Sequence, residues 1–229
     1  MKYSVVLFDV DHTLFDFDAS ERAAFAAMVE AVEGEFVPEH FAIYKGLNAA
    51  LWQQVERGEI LAGDVRDRRT AQFCAEVGLD ADRDQMTRAF LDGLGANGDL
   101  YPGVREVLEQ LHGTVALGMA TNGISVVQRT KMSRVGLDRF FDAGVISDEV
   151  GVAKPDPAFF DLLLGQLGDP DRASVLMVGD SLNSDIQGGI NAGVATCWYN
   201  PHGKPGSAEV QPTYEISDLT QVLRLVLAD

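Results

Sequence analysis

The chain opens MKYSVVLFDVDHTLFDF, where an apolar run, Tyr3–Phe8, ends directly in Asp9 and Asp11 with Thr13 beyond. Buried chain that runs straight into carboxylates is unfavourable unless those charges have partners or work there. The arrangement recurs. Thr121, Asn122 and Gly123 follow the run Thr114–Ala120, and Lys154, in GVAKPDP, comes a short loop after Ala143–Ser147. Gly179, Asp180 and Ser181 follow Ser174–Val178, with Asp185 five residues past Asp180. Oxygen ligands from Asp9, Asp180 and Asp185 suit a hard divalent cation, and Mg²⁺ fits a site where carboxylates share the ion with a phosphate. The Thr121 hydroxyl, nearby backbone N–H groups and the Lys154 ammonium suit the remaining phosphate oxygens. A carboxylate can also attack phosphorus to give an aspartyl phosphate. A second carboxylate two residues on, facing the same way along extended chain, can protonate the leaving group and then deprotonate water.

The runs that carry these residues are continuous rather than alternating, as strands buried on both faces of a parallel sheet require. Val194–Tyr199 is a further run of this kind, and a last short strand and helix follow the turn-rich stretch His202–Tyr214. Helical patterns separate the later runs: Val104–His112, Ser125–Gly136, Pro157–Gly168 and Ser184–Gly193. Such alternation predicts an α/β fold with a doubly wound, mainly parallel, Rossmann-like sheet. In that fold ligands bind beyond the carboxyl ends of the strands, where the polar residues above stand.

One stretch breaks the alternation. From about Phe15 to Gly98 the pattern is helical throughout, with Phe41, Tyr44, Leu47, Leu51, Trp52 and Val55 forming an amphipathic stripe. This predicts an all-helical domain, residues 15–98, inserted into a core of residues 1–14 and 99–229. Tyr44 and Trp52 read as its core. His12 should point to the far side of the strand from Asp9 and Asp11. Gly188 and Gly189 read as close packing of a helix on the sheet, and Asp185 also suits a helix N-terminus.

Composition bounds the function. The net charge of −17, from 35 acidic and 18 basic residues without a Lys/Arg cluster, argues against nucleic acid or an anionic membrane as partner. An anionic substrate would need a metal and Lys154 to screen Asp9. Two distant cysteines, Cys74 and Cys197, lack metal-ligand spacing and read as reduced thiols of a cytoplasmic protein. The first apolar run is too short for a signal peptide, and no run approaches a membrane span.

In this order, DVDHT, TN, the lysine of KPDP and GDSLNSD resemble the four motifs of the haloacid dehalogenase superfamily of phosphatases, and the helical block resembles its small cap. The resemblance implies that Asp9 is the nucleophile and a Mg²⁺ ligand. Asp11 would be the general acid/base and touch the metal through its backbone carbonyl. Thr121 and the Asn122 and Gly123 backbone would bind the transferring phosphoryl group, and Lys154 would orient Asp9. Asp180 would ligate Mg²⁺, supported by Asp185. The superfamily's dehalogenases lack a carboxylate at the place of Asp11, so the pattern is that of a phosphatase.

DVDHTLFDFD, YKGLNAALW, ISDEVGVAKPDPAFFD and VLMVGDSLNSDIQGGINAGVATCWYN further resemble the 5′-nucleotidase branch acting on pyrimidine and noncanonical nucleoside monophosphates. The expected partner is thus a small phosphate monoester, handled by a monomer or homodimer. Phe17, Lys45, Asn48 and Arg69 are the cap candidates for contact with the leaving group. A phosphosugar phosphatase or mutase shares the core motifs. A phosphonatase would need a cap lysine, for which Lys45 is the sole candidate between Phe15 and Gly98. A phospho-acceptor signalling module would use similar residues in a different order.

Overall fold

The computed structural model describes residues 2–227, so residues 1, 228 and 229 at the outer ends of the expected core lie outside the described residues. Six strands form one sheet: β1 (Val5–Phe8), β2 (Ala116–Thr121), β3 (Ala143–Ile146), β4 (Val175–Gly179), β5 (Ala195–Tyr199) and β6 (Tyr214–Ile216). Their order is β3-β2-β1-β4-β5-β6 and every neighbouring pair is parallel. The chain winds outward from β1 to β3, returns to β4 and winds the other way. The carboxyl end of β1 therefore lies at the switch point of the topology, where a crevice opens.

All four residues of β1 are buried, because the sheet is covered on both faces. Val6 and Phe8 pack with helices α5 (Val104–Leu111) and α10 (Gln221–Leu227). Val5 and Leu7 point the other way, onto α8 (Pro157–Gln166), the helix after the short α7 (Ser147–Val150). The strands β1, β2 and β4 begin one or two residues later than the apolar runs, and β2 and β4 extend one residue further, to Thr121 and Gly179. At the leading end Tyr3 is still buried, but its ring stands edge-on to Tyr214, with centroids 6.4 Å apart, instead of extending the ladder.

Helices α1 (Phe17–Glu30), α2 (Pro38–Glu56), α3 (Ala62–Val77) and α4 (Arg83–Ala96) fill the interval between β1 and β2. Asp16 and Asp82 start α1 and α4 by accepting from the Ala19 and Gln85 N–H groups, at 3.2 and 3.0 Å. Gly78, at φ +68°, ends α3 in the left-handed conformation. The block has its own core around Phe25, whose ring centre lies 5.1 Å from Tyr44, 5.2 Å from Phe41 and 5.4 Å from Phe73. Ile124 and Val127, at the start of α6 (Ser125–Arg134), join that core and seat the block on the sheet domain. The two crossings run side by side: Asp16 N–H donates to Asp99 O and Tyr101 N–H to Leu14 O, both at 2.9 Å.

The segment expected as one helix over Ser184–Gly193 begins earlier, as a π-helical turn, Leu182–Ile186, that continues into α9 (Gln187–Asn191). Such wide turns interrupt regular helix where a side chain must be set at an unusual angle. Here that side chain is Asp185. Gly188 and Gly189 follow it against the sheet; a Cβ on Gly189 would stand 2.5 Å from Thr196 Cγ2.

Candidate active site

At the carboxyl ends of β1, β2 and β4 lies a cavity of about 380 Å³, within the range of small-molecule sites. Every residue singled out from the sequence for chemistry or cap contact lines it: Asp9, Asp11, Thr121, Asn122, Gly123, Lys154, Asp180, Asp185, Phe17, Lys45, Asn48 and Arg69.

Lys154 organises the floor. Its ammonium is buried and spends all three protons, on Asp9 Oδ1 at 2.7 Å, Asp185 Oδ1 at 2.6 Å and Ala120 O at 2.7 Å. Burial alone would lower its pKa, but Asp185 and Asp9 hold it above the ordinary lysine value. The lysine is placed by its own backbone: Lys154 N–H donates to Asn122 Oδ1, and Asn122 Nδ2 donates back to Lys154 O, both at 2.8 Å. The Asn122 side chain thus ties the end of β2 to the lysine loop.

Burial is the main reason Asp9 is pushed up to about 7, with the charges of Asp185 and Asp11 adding to it against Lys154. Thr13 Oγ1 donates to Asp9 Oδ2 at 3.1 Å, so each oxygen of Asp9 is held. Burial, then the charge of Asp9, raises Asp180. Burial, then Asp180, raises Asp185 against Lys154. Asp185 is also fixed by the Ser181 N–H, 3.0 Å from Oδ2. It fits under the strand end because residue 179 is glycine: a Cβ there would sit 2.2 Å from Asp185 Oδ2.

Carboxylate oxygens of Asp9, Asp180 and Asp185 all lie within 4.8 Å of one another. Three converging carboxylates against one buried ammonium leave an excess of negative charge, and the donors are all hard oxygens. That set fits a small divalent cation such as Mg²⁺.

Asp11 lines the same cavity but its carboxylate is not one of those three. It turns to α6, where Lys131 Nζ reaches Oδ1 and Gln128 Nε2 reaches Oδ2, both at 2.6 Å. Burial would raise Asp11, yet Lys131 and Gln128 together hold it below the usual carboxylate range. His12 departs from the sequence expectation: it lines the cavity, with its ring centre 5.2 Å from that of Phe17. The reason is local. The strand has ended at Phe8, and His12 adopts φ +63°, so the alternation of extended chain no longer applies. Tyr44 is core as expected, whereas Trp52 is half-buried and also lines the cavity.

Thr13 was singled out with Asp9 and Asp11, but three other polar residues that hold the site escaped the sequence reading: Glu21, Gln128 and Lys131. Gln128 and Lys131 stand three apart on the α6 face that also carries Val127, but the α6 residues carried no signal that this face is buried. Glu21 carried none, since an acid in the second turn of a helix ordinarily faces solvent.

Fold and site together define a hydrolase of the doubly wound α/β type, with a helical insertion after its first strand. Residues 3–193 match the family model of the haloacid dehalogenase-like hydrolases, and the chain belongs to that family. It is 37% identical to the pyrimidine 5′-nucleotidase YjjG of Escherichia coli over 226 residues, 99% of each chain. It is 33% identical to the pyrimidine 5′-nucleotidase PynA of Streptococcus pneumoniae, covering 97% of this chain and 94% of that one. Among solved structures, the HAD-hydrolase YfnB of Bacillus subtilis, described as bound to magnesium and revealing interdomain movement, superposes with a TM-score of 0.89. It is 31% identical and 99% of each chain is covered.

Proposed function

We propose that this protein is a Mg²⁺-dependent 5′-nucleotidase that hydrolyses pyrimidine nucleoside monophosphates through a phosphorylated Asp9. The observation that carries the reading is Lys154, clamped between Asp9 and Asp185 at the floor of a cavity roofed by the helical block. Near-full-length similarity to two proteins named pyrimidine 5′-nucleotidase supports the substrate class.

A cation held by Asp9, Asp180 and Asp185 would supply positive charge to the phosphate and offset the repulsion among the carboxylates. The chain's own residues do the rest. Lys154 and Thr13 fix the Asp9 carboxylate, and one of its oxygens attacks phosphorus as the bond to the nucleoside 5′-oxygen breaks. Asp11, which Lys131 and Gln128 hold ionised and turned toward α6 here, must leave them and take up a proton before it gives that proton to the leaving oxygen. The Thr121 hydroxyl and the backbone of Asn122 and Gly123 hold the transferring group. Asp11 then takes a proton from water, the hydroxide attacks phosphorus, and Asp9 is regenerated as phosphate leaves. The block of residues 15–98 acts as the cap that closes over the nucleoside.

Lys45, the lysine a phosphonatase would need, is engaged by Asp18 at 2.7 Å, and that bond raises its pKa. Cys74 and Cys197 are both buried free thiols. Among the described residues no helix is long and apolar enough to cross a membrane.

Phosphate release from a panel of nucleoside monophosphates and sugar phosphates, each with Mg²⁺ and with chelator, tests the reading. The expected result is chelator-sensitive release led by UMP, dUMP or dTMP. Release led by sugar phosphates would overturn the nucleotidase assignment, and no release at all would overturn the phosphatase itself.

A further inference from the structure

Away from the catalytic floor, three buried polar side chains of the helical block line the same cavity: Glu21 of α1, Asn48 of α2 and Arg69 of α3. They are joined in a relay. Arg69 Nη1 donates to Asn48 Oδ1 at 2.8 Å, and Asn48 Nδ2 donates to Glu21 Oε1 at 2.7 Å. The guanidinium lies over the Phe90 ring, 4.1 Å from its centre, which fixes its plane.

Were this network present only to hold the block together, glutamate and arginine would do best as a direct bidentate pair. Instead the asparagine separates them and uses both ends of its amide to do so. The relay is left with an acceptor-only end and a donor-only end. Glu21 Oε2 has Lys45 Nζ at 4.0 Å, beyond hydrogen-bond distance. On Arg69 only Nη1 has a hydrogen-bond partner among the described residues; Nε is buried without one, as is the hydroxyl of neighbouring Tyr44. Burial pushes the Glu21 carboxyl up against the pull of Lys45, Arg69 and Asn48. Unfilled capacity of this kind inside a protein is costly and is retained where a ligand supplies the missing partners.

A ligand that completes both ends presents an N–H donor beside a carbonyl acceptor on one rigid edge. Phe17, Trp52 and Leu94 line the cavity as well and offer apolar surface for the faces of a flat ring. We infer that Glu21, Asn48 and Arg69 form the subsite that reads the hydrogen-bonding edge of the pyrimidine base, Glu21 accepting from the base N–H and Arg69 donating to the adjacent carbonyl. The inference rests on the nucleotidase reading of the site and names how its substrate class is selected.

The test compares UMP with ribose 5-phosphate, which keeps the phosphate and sugar and lacks the base. In the wild type kcat/KM should favour UMP, and methylation of the uracil N3 should remove about tenfold or more of that preference, since buried groups built to hydrogen-bond a substrate reject analogues that cannot reply. Glu21→Gln should lower the UMP to ribose 5-phosphate ratio by a similar factor. A ratio unchanged in Glu21→Gln, or a wild type indifferent to N3-methylation, would overturn the subsite. So would an equal loss on both substrates, which would assign the relay to the sugar or to folding. UMP hydrolysis by the wild type stands apart from these outcomes: its absence would sink the nucleotidase reading, whereas its presence with no base preference would sink only the subsite. The methylated substrate tests the wild-type chain, so the inference stays exposed even if the variant folds poorly.

Discussion

Lys131 Nζ lies 2.6 Å from Asp11 Oδ1, and the lysine is fully buried while the aspartate faces the cavity. Aromatic rings flank the ammonium, Phe17 at 5.1 Å and Phe15 at 5.6 Å from their centres. The buried cation thus meets the residue proposed as general acid/base and holds it ionised and turned toward α6. Removing it by Lys131→Met leaves the partly buried Asp11 without its counter-charge, a loss below the roughly 3–5 kcal/mol of fully buried pairs. Asp11 is depressed in the folded wild type, so its contribution is present above the unfolded pKa and is lost as pH falls through the folded one. The destabilisation of the variant should therefore be largest near neutrality and shrink in acid. Urea unfolding at pH 8 and at about pH 2.5, below the ordinary carboxylate range, checks this, and equal losses at both would contradict it.

Asp9→Asn should abolish phosphate release while leaving the fold intact. The amide replaces a carboxylate that burial and two like charges already disfavour, so the variant should melt no lower than the wild type at pH 8. Thermal melts beside phosphate assays settle the pair. Retained turnover would remove Asp9 from the nucleophile's role.

Gly179→Ala places a methyl 2.2 Å from Asp185 Oδ2 and 2.3 Å from its Cγ. Neither the strand nor the Lys154 bond leaves room, so Asp185 must shift. Overpacking of this kind costs about 1–3 kcal/mol. The larger effect should fall on the metal: the Mg²⁺ concentration for half-maximal activity should rise about tenfold or more, because ligand orientation depends on such supports. An unchanged Mg²⁺ titration would show that Asp185 does not serve the cation.

Glu21→Gln separates recognition from stability. Burial raises Glu21 above its ordinary 4.5, so the folded state binds that proton more tightly than the unfolded chain. Stability accordingly falls as pH rises from the unfolded value through the folded one, then levels. The glutamine should escape this fall, melting higher than the wild type at pH 7, with the gap closing toward pH 4. A variant that melts lower at pH 7 would make Glu21 a structural residue.

The core was legible because β1, β2 and β4 are buried on both faces and each ends in residues too polar to be there by packing. Those three ends in order, with Lys154 in the loop beyond β3, located the site before any contact was known. Asp185 was legible as a residue but not in its setting: the π-helical turn that aims it depends on Gly179 and Lys154, which are distant in sequence or silent by propensity. His12 misled because the period-two rule was carried past the end of β1. Glu21, Gln128 and Lys131 were illegible for a common reason. Each is buried by an element from another part of the chain, and a single sequence shows a charged residue's type without showing what will cover it.

The side-by-side crossings at Leu14–Asp16 and Asp99–Tyr101 have a topological consequence. Because the chain leaves and re-enters the sheet domain at adjacent backbone positions, that domain experiences the whole helical block as one closed loop. Closure entropy grows only logarithmically, so doubling the length of such a loop costs about 0.6 kcal/mol. The block is therefore an exchangeable part: a larger, smaller or differently lined insertion can join at the same two crossings, provided it also packs on Ile124 and Val127, without moving Asp9, Lys154 or Asp185. Substrate choice can drift by rewriting residues between the crossings while the reaction chemistry is inherited unchanged.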